Sequence, residues 1–147
     1  TEQVILELVD IFHFGLSLRI DGETSYQELA EQLTAELEKP TQADDFKQTL
    51  ELLAASAVAN KTFDAAAFAG CMAQIGMDID DLYRGYVGKN TLNFFRQDHG
   101  YKDGSYIKVW NGQEDNEHLV EVVKSLDINQ ENFAELVYKG LEARYPA

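Results

Sequence analysis

Residues 4–18 read VILELVDIFHFGLSL, an apolar stretch interrupted by polar residues at helical spacing. At about 100° per residue, Glu7, Asp10 and Phe14 share one side of a helix, and apolar side chains cover almost every other direction. A helix that is apolar nearly all round is usually buried against other helices. The stretch therefore predicts a buried helix over residues 2–20 and, with it, a helical core.

The rest of the chain also has the pattern of helices. Asp21-Gly22 interrupts the first helix, and Ser25 with Glu28 can form a capping box at the start of the second, which ends before Pro40. Further helices are predicted at residues 25–39, 43–60, 64–76, 78–98, 115–124 and from 129 or 132 to 144. Together they predict one all-α, multi-helix bundle domain over residues 1–147.

One segment lacks helical periodicity. Residues 101–114, YKDGSYIKVWNGQE, combine Gly, Asp and Asn with two tyrosines and the tryptophan. Plain linkers rarely hold several aromatic residues, so the segment predicts an ordered functional loop that could contain a short hairpin, preceding a helix that Asp115 can cap.

Composition restricts the class of partner. The formal net charge is −14, from 26 acidic and 12 basic residues. Such a surface repels nucleic-acid polymers and anionic membranes, but a small anion can bind where local cations or a metal offset the field. We find no secretory signal and no apolar run that could span a bilayer, and we expect a cytoplasmic protein with its one cysteine, Cys71, buried.

Glu7 and Asp10 are acidic residues on the apolar helix. At positions i and i+3 both can reach one point beside the helix, and Mg²⁺ accepts carboxylate oxygens together with substrate phosphates. The pair is a candidate magnesium site; pairing with Lys or Arg, or an exposed acidic strip, is the alternative. His13 lies three residues further along the same side, where it fits either a hydrogen-bonded core residue or a ligand.

A second distinctive face lies in residues 81–97, DLYRGYVGKNTLNFFRQ. Lys89, Asn93 and Arg96, at i, i+4 and i+7, fall within about 60° of one another on a helix. Two cations separated by an amide suit phosphate oxygens, although a solvated face that neutralises nearby acids has the same pattern. Together with the carboxylate pair, this face favours a metal-bridged polyphosphate as ligand.

Two blocks resemble a known family. Residues 86–119, YVGKNTLNFFRQDHGYKDGSYIKVWNGQEDNEHL, resemble the C-terminal signature of the dimeric dUTPases, which are all-α NTP pyrophosphohydrolases related to MazG-like proteins. Residues 7–18, ELVDIFHFGLSL, resemble the second metal-binding helix of that family, an ExxD pattern followed by a histidine. Residues 21–81 carry no motif that points to it.

The resemblance implies a fold, a reaction and a site. It implies an all-α bundle of the NTP pyrophosphohydrolase type, a homodimer, and Mg²⁺-dependent hydrolysis of dUTP, and usually dUDP, to dUMP with release of pyrophosphate or phosphate. Mg²⁺ would be bound by Glu7 and Asp10. The substrate-binding residues would be His13, Lys89, Asn93, Arg96, Tyr101 and Asn116, with Asn93 facing the sugar and most of the others facing phosphate oxygens. Residues 102–105 would shape a loop over the site, and Trp110 would pack beneath that loop.

Part of the family pattern is not found. The ExxE pair that should precede the ExxD helix is missing, and Glu28 and Glu31 follow that helix, where we expect surface acids. Because the chain starts with Thr and enters a helix at once, we expect that an upstream segment was removed, together with the residue that orients the attacking water. No catalytic residue is therefore assigned, and we expect weak nucleotide binding and little or no turnover.

Three alternatives remain open. The chain could be an all-α pyrophosphatase with another dNTP preference, since base contacts are not visible in the motifs. It could be a non-catalytic helical module that binds a nucleotide or a partner. An acidic protein-binding adaptor would explain the charge, but it would leave the long motif unexplained.

Overall fold

The protein is all-α apart from one short hairpin, as a computed structural model shows for residues 2–146, the Glu2 side chain excepted. This confirms the predicted fold class. The helices within that range are α1 (Glu2–Arg19), α2 (Tyr26–Leu37), α3 (Phe46–Asn60), α4 (Ala65–Ile75), α5 (Ile79–Asp98), α6 (Asp115–Lys124) and α7 (Phe133–Glu142). The strands β1 (Val109–Trp110) and β2 (Gln113–Glu114) pair antiparallel in the predicted loop segment.

The chain divides into two compact units, residues 1–79 and 80–147. The first contains α1 to α4 and the second contains nearly all of α5, the hairpin, α6 and α7. The single domain expected over residues 1–147 stays a prediction.

Local capping explains where the helices of the first unit begin. The Ser25 hydroxyl accepts a hydrogen bond from the Glu28 backbone N–H, and the Glu28 carboxylate accepts one from the Ser25 backbone N–H, which is the predicted capping box. Asp45 and Asp64 cap α3 and α4 in the same way, each accepting from a backbone N–H three residues on.

The first unit is packed around α4, a helix of small apolar residues. Cys71 is buried in it as predicted, and burial raises the pKa of its thiol. Small residues let neighbouring backbone approach: a Cβ at Gly70 would lie 2.5 Å from the Thr41 carbonyl oxygen. The end of α1 is tied to α2 by the Arg19 guanidinium, whose Nη1 and Nη2 donate to the Glu36 carboxylate at 3.0 and 2.8 Å.

Helix α1 is buried on one side only. Leu8 and Val9 are 2% and 0% exposed, whereas Phe14 and Leu18 on other faces are 75% and 64% exposed. The expectation of a helix buried nearly all round is therefore wrong for this chain. The physical reason is that its neighbours in the chain cover one stripe of the helix, so the remaining apolar side chains face solvent.

The second unit is built around an aromatic cluster. Trp110 and Phe95 are both fully buried, with ring centroids 5.7 Å apart, and Trp110 also stacks on His118 at 4.9 Å. The Trp110 Nε1–H donates to the Ile107 carbonyl at 2.6 Å. Tyr145, after α7, packs edge-on against Trp110 at 5.2 Å. The tryptophan is thus a core residue of the second unit, and its packing beneath residues 102–105 stays a prediction.

The start of α6 differs from the prediction. Glu114, not Asp115, is the N-cap, and its backbone N–H donates to the Glu117 carboxylate at 2.7 Å. Asp115 is the first residue of the helix, and it is completely buried. Its carboxylate does not cap the helix because it accepts hydrogen bonds from the side chains of Arg96 and Tyr106.

Among the described residues, no helix combines the length and the hydrophobicity that crossing a bilayer requires.

Candidate functional site

The acidic residues of α1 lie at the surface of the first unit. Glu7 is exposed and its Oε1 accepts a hydrogen bond from Gln3 Nε2 at 2.6 Å, while Asp10, one turn further, is half-buried. The carboxylates thus occupy consecutive turns of one helix, and the burial expected for a helix that is apolar nearly all round does not extend to Glu7. The exposed stripe that α1 keeps on this side accounts for the difference.

These two carboxylates fit part of a magnesium site. Among the side chains that the structure describes, residues 3–146, no group of three or more His, Cys, Asp or Glu is arranged to hold a metal ion. Mg²⁺ in nucleotide-binding sites commonly takes one or two carboxylates and completes its shell with water and phosphate oxygens. Glu7 and Asp10, at positions i and i+3, offer the one or two carboxylates that such a site needs.

His13 has a local hydrogen bond in the structure. Its Nδ1 lies 3.0 Å from the Val9 carbonyl oxygen, one turn back on α1, and since a carbonyl oxygen can only accept, Nδ1 donates there. The ring is half-buried. A role for His13 in substrate binding stays a prediction.

The second predicted site lies on α5. Lys89 is half-buried and Asn93 is exposed, and Arg96 Nη1 lies 3.5 Å from Asn93 Oδ1. That distance is at the upper limit of a hydrogen bond, so the contact is weak. The amide and the guanidinium therefore share one face of the helix, as the i, i+3 spacing requires.

Arg96 is held by a fully buried acid. Its Nε donates to Asp115 Oδ2 at 2.7 Å and its Nη2 donates to Asp115 Oδ1 at 2.8 Å. The Tyr106 hydroxyl donates to the same Oδ2 at 2.9 Å. The side chains of Arg96 and Asp115 are 17% and 0% exposed, respectively. Three donors thus converge on one carboxylate.

Burial and hydrogen bonding oppose each other at this carboxylate. Burial alone raises the pKa of Asp115, but the hydrogen bonds from Arg96 and Tyr106 and the positive charge of Arg96 outweigh it, and the net pKa is lowered. The pKa of Tyr106 is raised, first by burial and then by its bond to the Asp115 carboxylate. The group is therefore an ionised pair with a neutral phenol at neutral pH.

The loop after α5 is closed on itself. The Gly100 carbonyl oxygen accepts from the backbone N–H of Ser105 at 3.1 Å and of Tyr106 at 3.4 Å. Asp103 Oδ1 accepts from the Ser105 backbone N–H at 3.0 Å and from its hydroxyl at 2.6 Å, and these bonds lower the pKa of Asp103. Hydrogen bonds inside the loop therefore fix the conformation of residues 100–106.

The closed loop carries two exposed side chains. Tyr101 is 58% exposed, and its ring centre lies 6.0 Å from the Arg96 guanidinium carbon, a distance at the limit of a cation–π contact. Lys102 is also exposed, and within residues 2–146 it makes no ion pair or hydrogen bond. The tip of the loop therefore presents an aromatic ring and a cation to solvent.

Asn116 lies in the first turn of α6, next to Asp115. Its side-chain oxygen is buried, and no partner for that oxygen is found in the described part of the chain. The structure thus brings Asn93, Arg96, Tyr101 and Asn116 to elements of the second unit, whereas Glu7, Asp10 and His13 belong to the first. Their roles toward metal and substrate stay predictions.

Two residues of this arrangement were missed by the sequence interpretation. Asp115 was expected only to cap α6, and Tyr106 was given no role. The one available signal was an acidic residue directly before Asn116 in a chain segment with few cations. That signal does not specify a partner 19 residues away.

Comparison with known proteins agrees with the resemblance. The family model described as dUTPase matches residues 1–101, more than half of the chain, and no curated protein matches. The match includes residues 21–81, where no motif had been found, and it ends before most of the loop that the resemblance extended to residue 119. The chain therefore belongs to the dimeric dUTPase family, whose members are hydrolases that act on dUTP.

Proposed function

We propose that this chain is a diphosphatase that converts dUTP and dUDP to dUMP, releasing pyrophosphate or phosphate, with Mg²⁺ as cofactor. Because no residue of the chain is assigned to orient the attacking water, we expect the nucleotide to bind weakly and to turn over slowly. The observation that carries the proposal is the dUTPase match over residues 1–101, which includes both α1 with its acidic pair and α5 with its cationic face. At a net charge of −14, a polyphosphate is repelled unless a bound metal ion or local basic side chains offset the field, which agrees with this proposal.

Glu7 and Asp10 would hold the metal. Their carboxylates are of the oxygen type that Mg²⁺ prefers, and the exposure of Glu7 leaves room for water and phosphate oxygens around an ion. When bound, Mg²⁺ neutralises phosphate charge and lowers the pKa of coordinated water. The protein's part is to hold two negative charges one helical turn apart.

The phosphate contacts would come from the second unit. Lys89 and Arg96 supply positive N–H donors, Tyr101 and Asn116 supply a hydroxyl and an amide, and Asn93 would face the sugar. His13 on α1 would be a further substrate contact. Support for these roles comes from the family membership and from the shared face of Asn93 and Arg96 on α5.

We further propose that the chain is a homodimer. Phe14 and Leu18 on α1 are 75% and 64% exposed, and Ile20 after the helix is 49% exposed. Large apolar side chains gathered on one element favour association with another surface. Sedimentation velocity over a concentration range distinguishes a dimer from a monomer.

The function is tested by binding and turnover together. Purified protein is titrated with α,β-imido-dUTP with and without Mg²⁺, and then incubated with dUTP, dUDP, dTTP and dCTP while dUMP and pyrophosphate are quantified. We expect weak, Mg²⁺-dependent binding, and slow release of dUMP from dUTP and dUDP with the other nucleotides left largely intact. Preferred hydrolysis of another dNTP would support the all-α pyrophosphatase alternative instead.

Three single variants distinguish the loss of a metal ligand from the loss of any one negative charge. Glu7→Gln and Asp10→Asn are each expected to lower Mg²⁺-dependent turnover at least about 100-fold, because each removes an anionic ligand. Glu31→Gln, which changes an exposed acid of α2 and alters net charge equally, is expected to have no effect. Equal effects at all three positions, or no nucleotide binding by the wild type, would contradict the proposal.

A further inference from the structure

The orientation of Arg96 is fixed through one edge of its guanidinium. A guanidinium presents five N–H bonds in a rigid plane, in which Nε and Nη2 form one two-pronged edge and Nη1 and Nη2 form another. The first edge is occupied by Asp115 at 2.7 and 2.8 Å. Among the described residues, the second edge makes a single hydrogen-bond contact, the 3.5 Å approach between Nη1 and Asn93.

Stability alone is a weak reason for this buried ion pair. Burying two charges costs desolvation free energy that their attraction only partly returns, and apolar residues of similar volume are often at least as stabilising. Asp115 is nevertheless 0% exposed, and Tyr106 adds a third hydrogen bond to it at 2.9 Å. Such an arrangement restricts the rotation of Arg96 more than one surface carboxylate would.

We propose that Asp115 and Tyr106 are positioning residues, which hold Arg96 so that the Nη1–Nη2 edge is presented to two oxygens of a nucleotide phosphate. The inference rests on the proposed function, because it assumes a phosphate ligand at Arg96. Asn93, whose contact with Nη1 is long, is displaced when the phosphate binds. Because Asp115 cancels the charge of Arg96, the pair recognises phosphate through directed hydrogen bonds rather than through net charge.

Charge and positioning predict opposite effects for loss of the Asp115 carboxylate. If Asp115 only neutralises Arg96, then Asp115→Asn adds one positive charge beside the site and strengthens binding of a polyphosphate. If Asp115 positions Arg96, the same substitution releases the guanidinium, sets an amide N–H donor against its N–H donors, and weakens binding. The sign of the change in affinity therefore decides between them.

The experiment compares the affinity of wild type and Asp115→Asn for α,β-imido-dUTP in the presence of Mg²⁺. Glu121→Gln is the matched control, since Glu121 also lies on α6, also accepts a hydrogen bond from an arginine (Arg144), and changes the charge equally. We expect affinity to fall at least about tenfold for Asp115→Asn and to change less than about twofold for Glu121→Gln. Equal or tighter binding by Asp115→Asn overturns the inference.

A milder variant covers the case in which Asp115→Asn does not fold. Tyr106→Phe removes one hydroxyl and leaves the Arg96–Asp115 pair in place. We expect the affinity to fall about threefold to tenfold, while the thermal midpoint of unfolding falls only slightly through loss of one hydrogen bond. Wild-type affinity in Tyr106→Phe overturns the positioning role.

A spectroscopic measurement separates positioning from a merely structural role. In ¹⁵N-labelled wild type, the Arg96 Nε–H should exchange slowly with water before nucleotide is added, and rotation about its Cζ–Nη1 bond should slow only after addition. If the Arg96–Asp115 pair only stabilises the fold, Nε–H exchange will be slow, but rotation about the Cζ–Nη1 bond will not slow when nucleotide is added. If the wild type binds no nucleotide at all, the proposed function fails and this inference fails with it, whereas nucleotide binding without the Nη1 change overturns the inference alone.

Discussion

Gly100 permits the closed conformation of the loop after α5, and replacing it provides a direct test of that loop. Its φ is +87°, and a Cβ there would lie 1.9 Å from the Ser105 hydroxyl oxygen and 2.9 Å from Asp103 Oδ1. Gly104, in the same loop, has φ of +81° but no atom within 4 Å of a Cβ. The two glycines thus have the same backbone requirement and different surroundings, so Gly104→Ala is a matched control for Gly100→Ala.

The expected losses of stability follow from the left-handed backbone conformation at both glycines and from the close contacts at Gly100 alone. A left-handed conformation costs an L-residue about 1–2 kcal/mol, which applies to both variants. Gly100→Ala must also displace the Ser105 side chain, which loses a hydrogen bond to Asp103 worth about 1 kcal/mol and adds crowding of about 1–3 kcal/mol. We expect the free energy of unfolding to fall by about 1–2 kcal/mol for Gly104→Ala and by about 3–6 kcal/mol for Gly100→Ala.

Guanidinium denaturation followed by far-ultraviolet circular dichroism measures both values. Adding Ser105→Ala to Gly100→Ala removes the atom at 1.9 Å, so the double variant should recover about 1–2 kcal/mol relative to the sum of the single changes. If Gly100→Ala and Gly104→Ala differ by less than about 0.5 kcal/mol, the closed loop does not depend on the Gly100–Ser105 approach and the reasoning is refuted.

Three further predictions concern the ion pairs and the aromatic core. The pKa of Asp115 is lowered in the folded state, so its pairing stabilises the protein at pH values above its unfolded pKa of about 4. This contribution is lost as the pH falls through the folded pKa. In urea denaturation, the difference in free energy of unfolding between wild type and Asp115→Asn should be constant at about pH 6–8 and should shrink below about pH 4. Arg19→Gln removes both hydrogen bonds to Glu36 and should lower the free energy of unfolding by about 2 kcal/mol, and an unchanged thermal midpoint would show that the pair does not hold α1 to α2. Trp110→Phe leaves a cavity and an unpaired backbone carbonyl, so an equilibrium denaturation should give a loss of about 2–4 kcal/mol, and a loss below about 1 kcal/mol would contradict the packing described.

Structural features that depend on a few neighbouring residues were predictable from the sequence. The capping box of Ser25 and Glu28, the helix-free loop and the short hairpin within residues 101–114 are all decided by local backbone and side-chain chemistry. The predicted helix ends lie within a few residues of the observed ones, because polar caps and Gly or Pro breaks act on the adjacent turn.

Features that depend on distant neighbours were not predictable. The periodicity of α1 could not show that only one stripe of it would be covered, so the whole helix was expected to be buried, whereas Glu7 is exposed. The pairing of Arg96 with Asp115 joins positions 19 residues apart through a loop whose path no local pattern specifies. For the same reason Asp115 was assigned to capping, a role that depends only on the next turn.

The position of Trp110 has an optical consequence. It is the one tryptophan of the chain, and its indole is completely shielded from water inside the second unit. Selective excitation of indole therefore monitors residues 80–147 and is blind to the helices of residues 1–79. If the two units melt separately, the fluorescence transition and the loss of helical ellipticity will occur at different denaturant concentrations, and the offset between them measures how cooperatively the units fold.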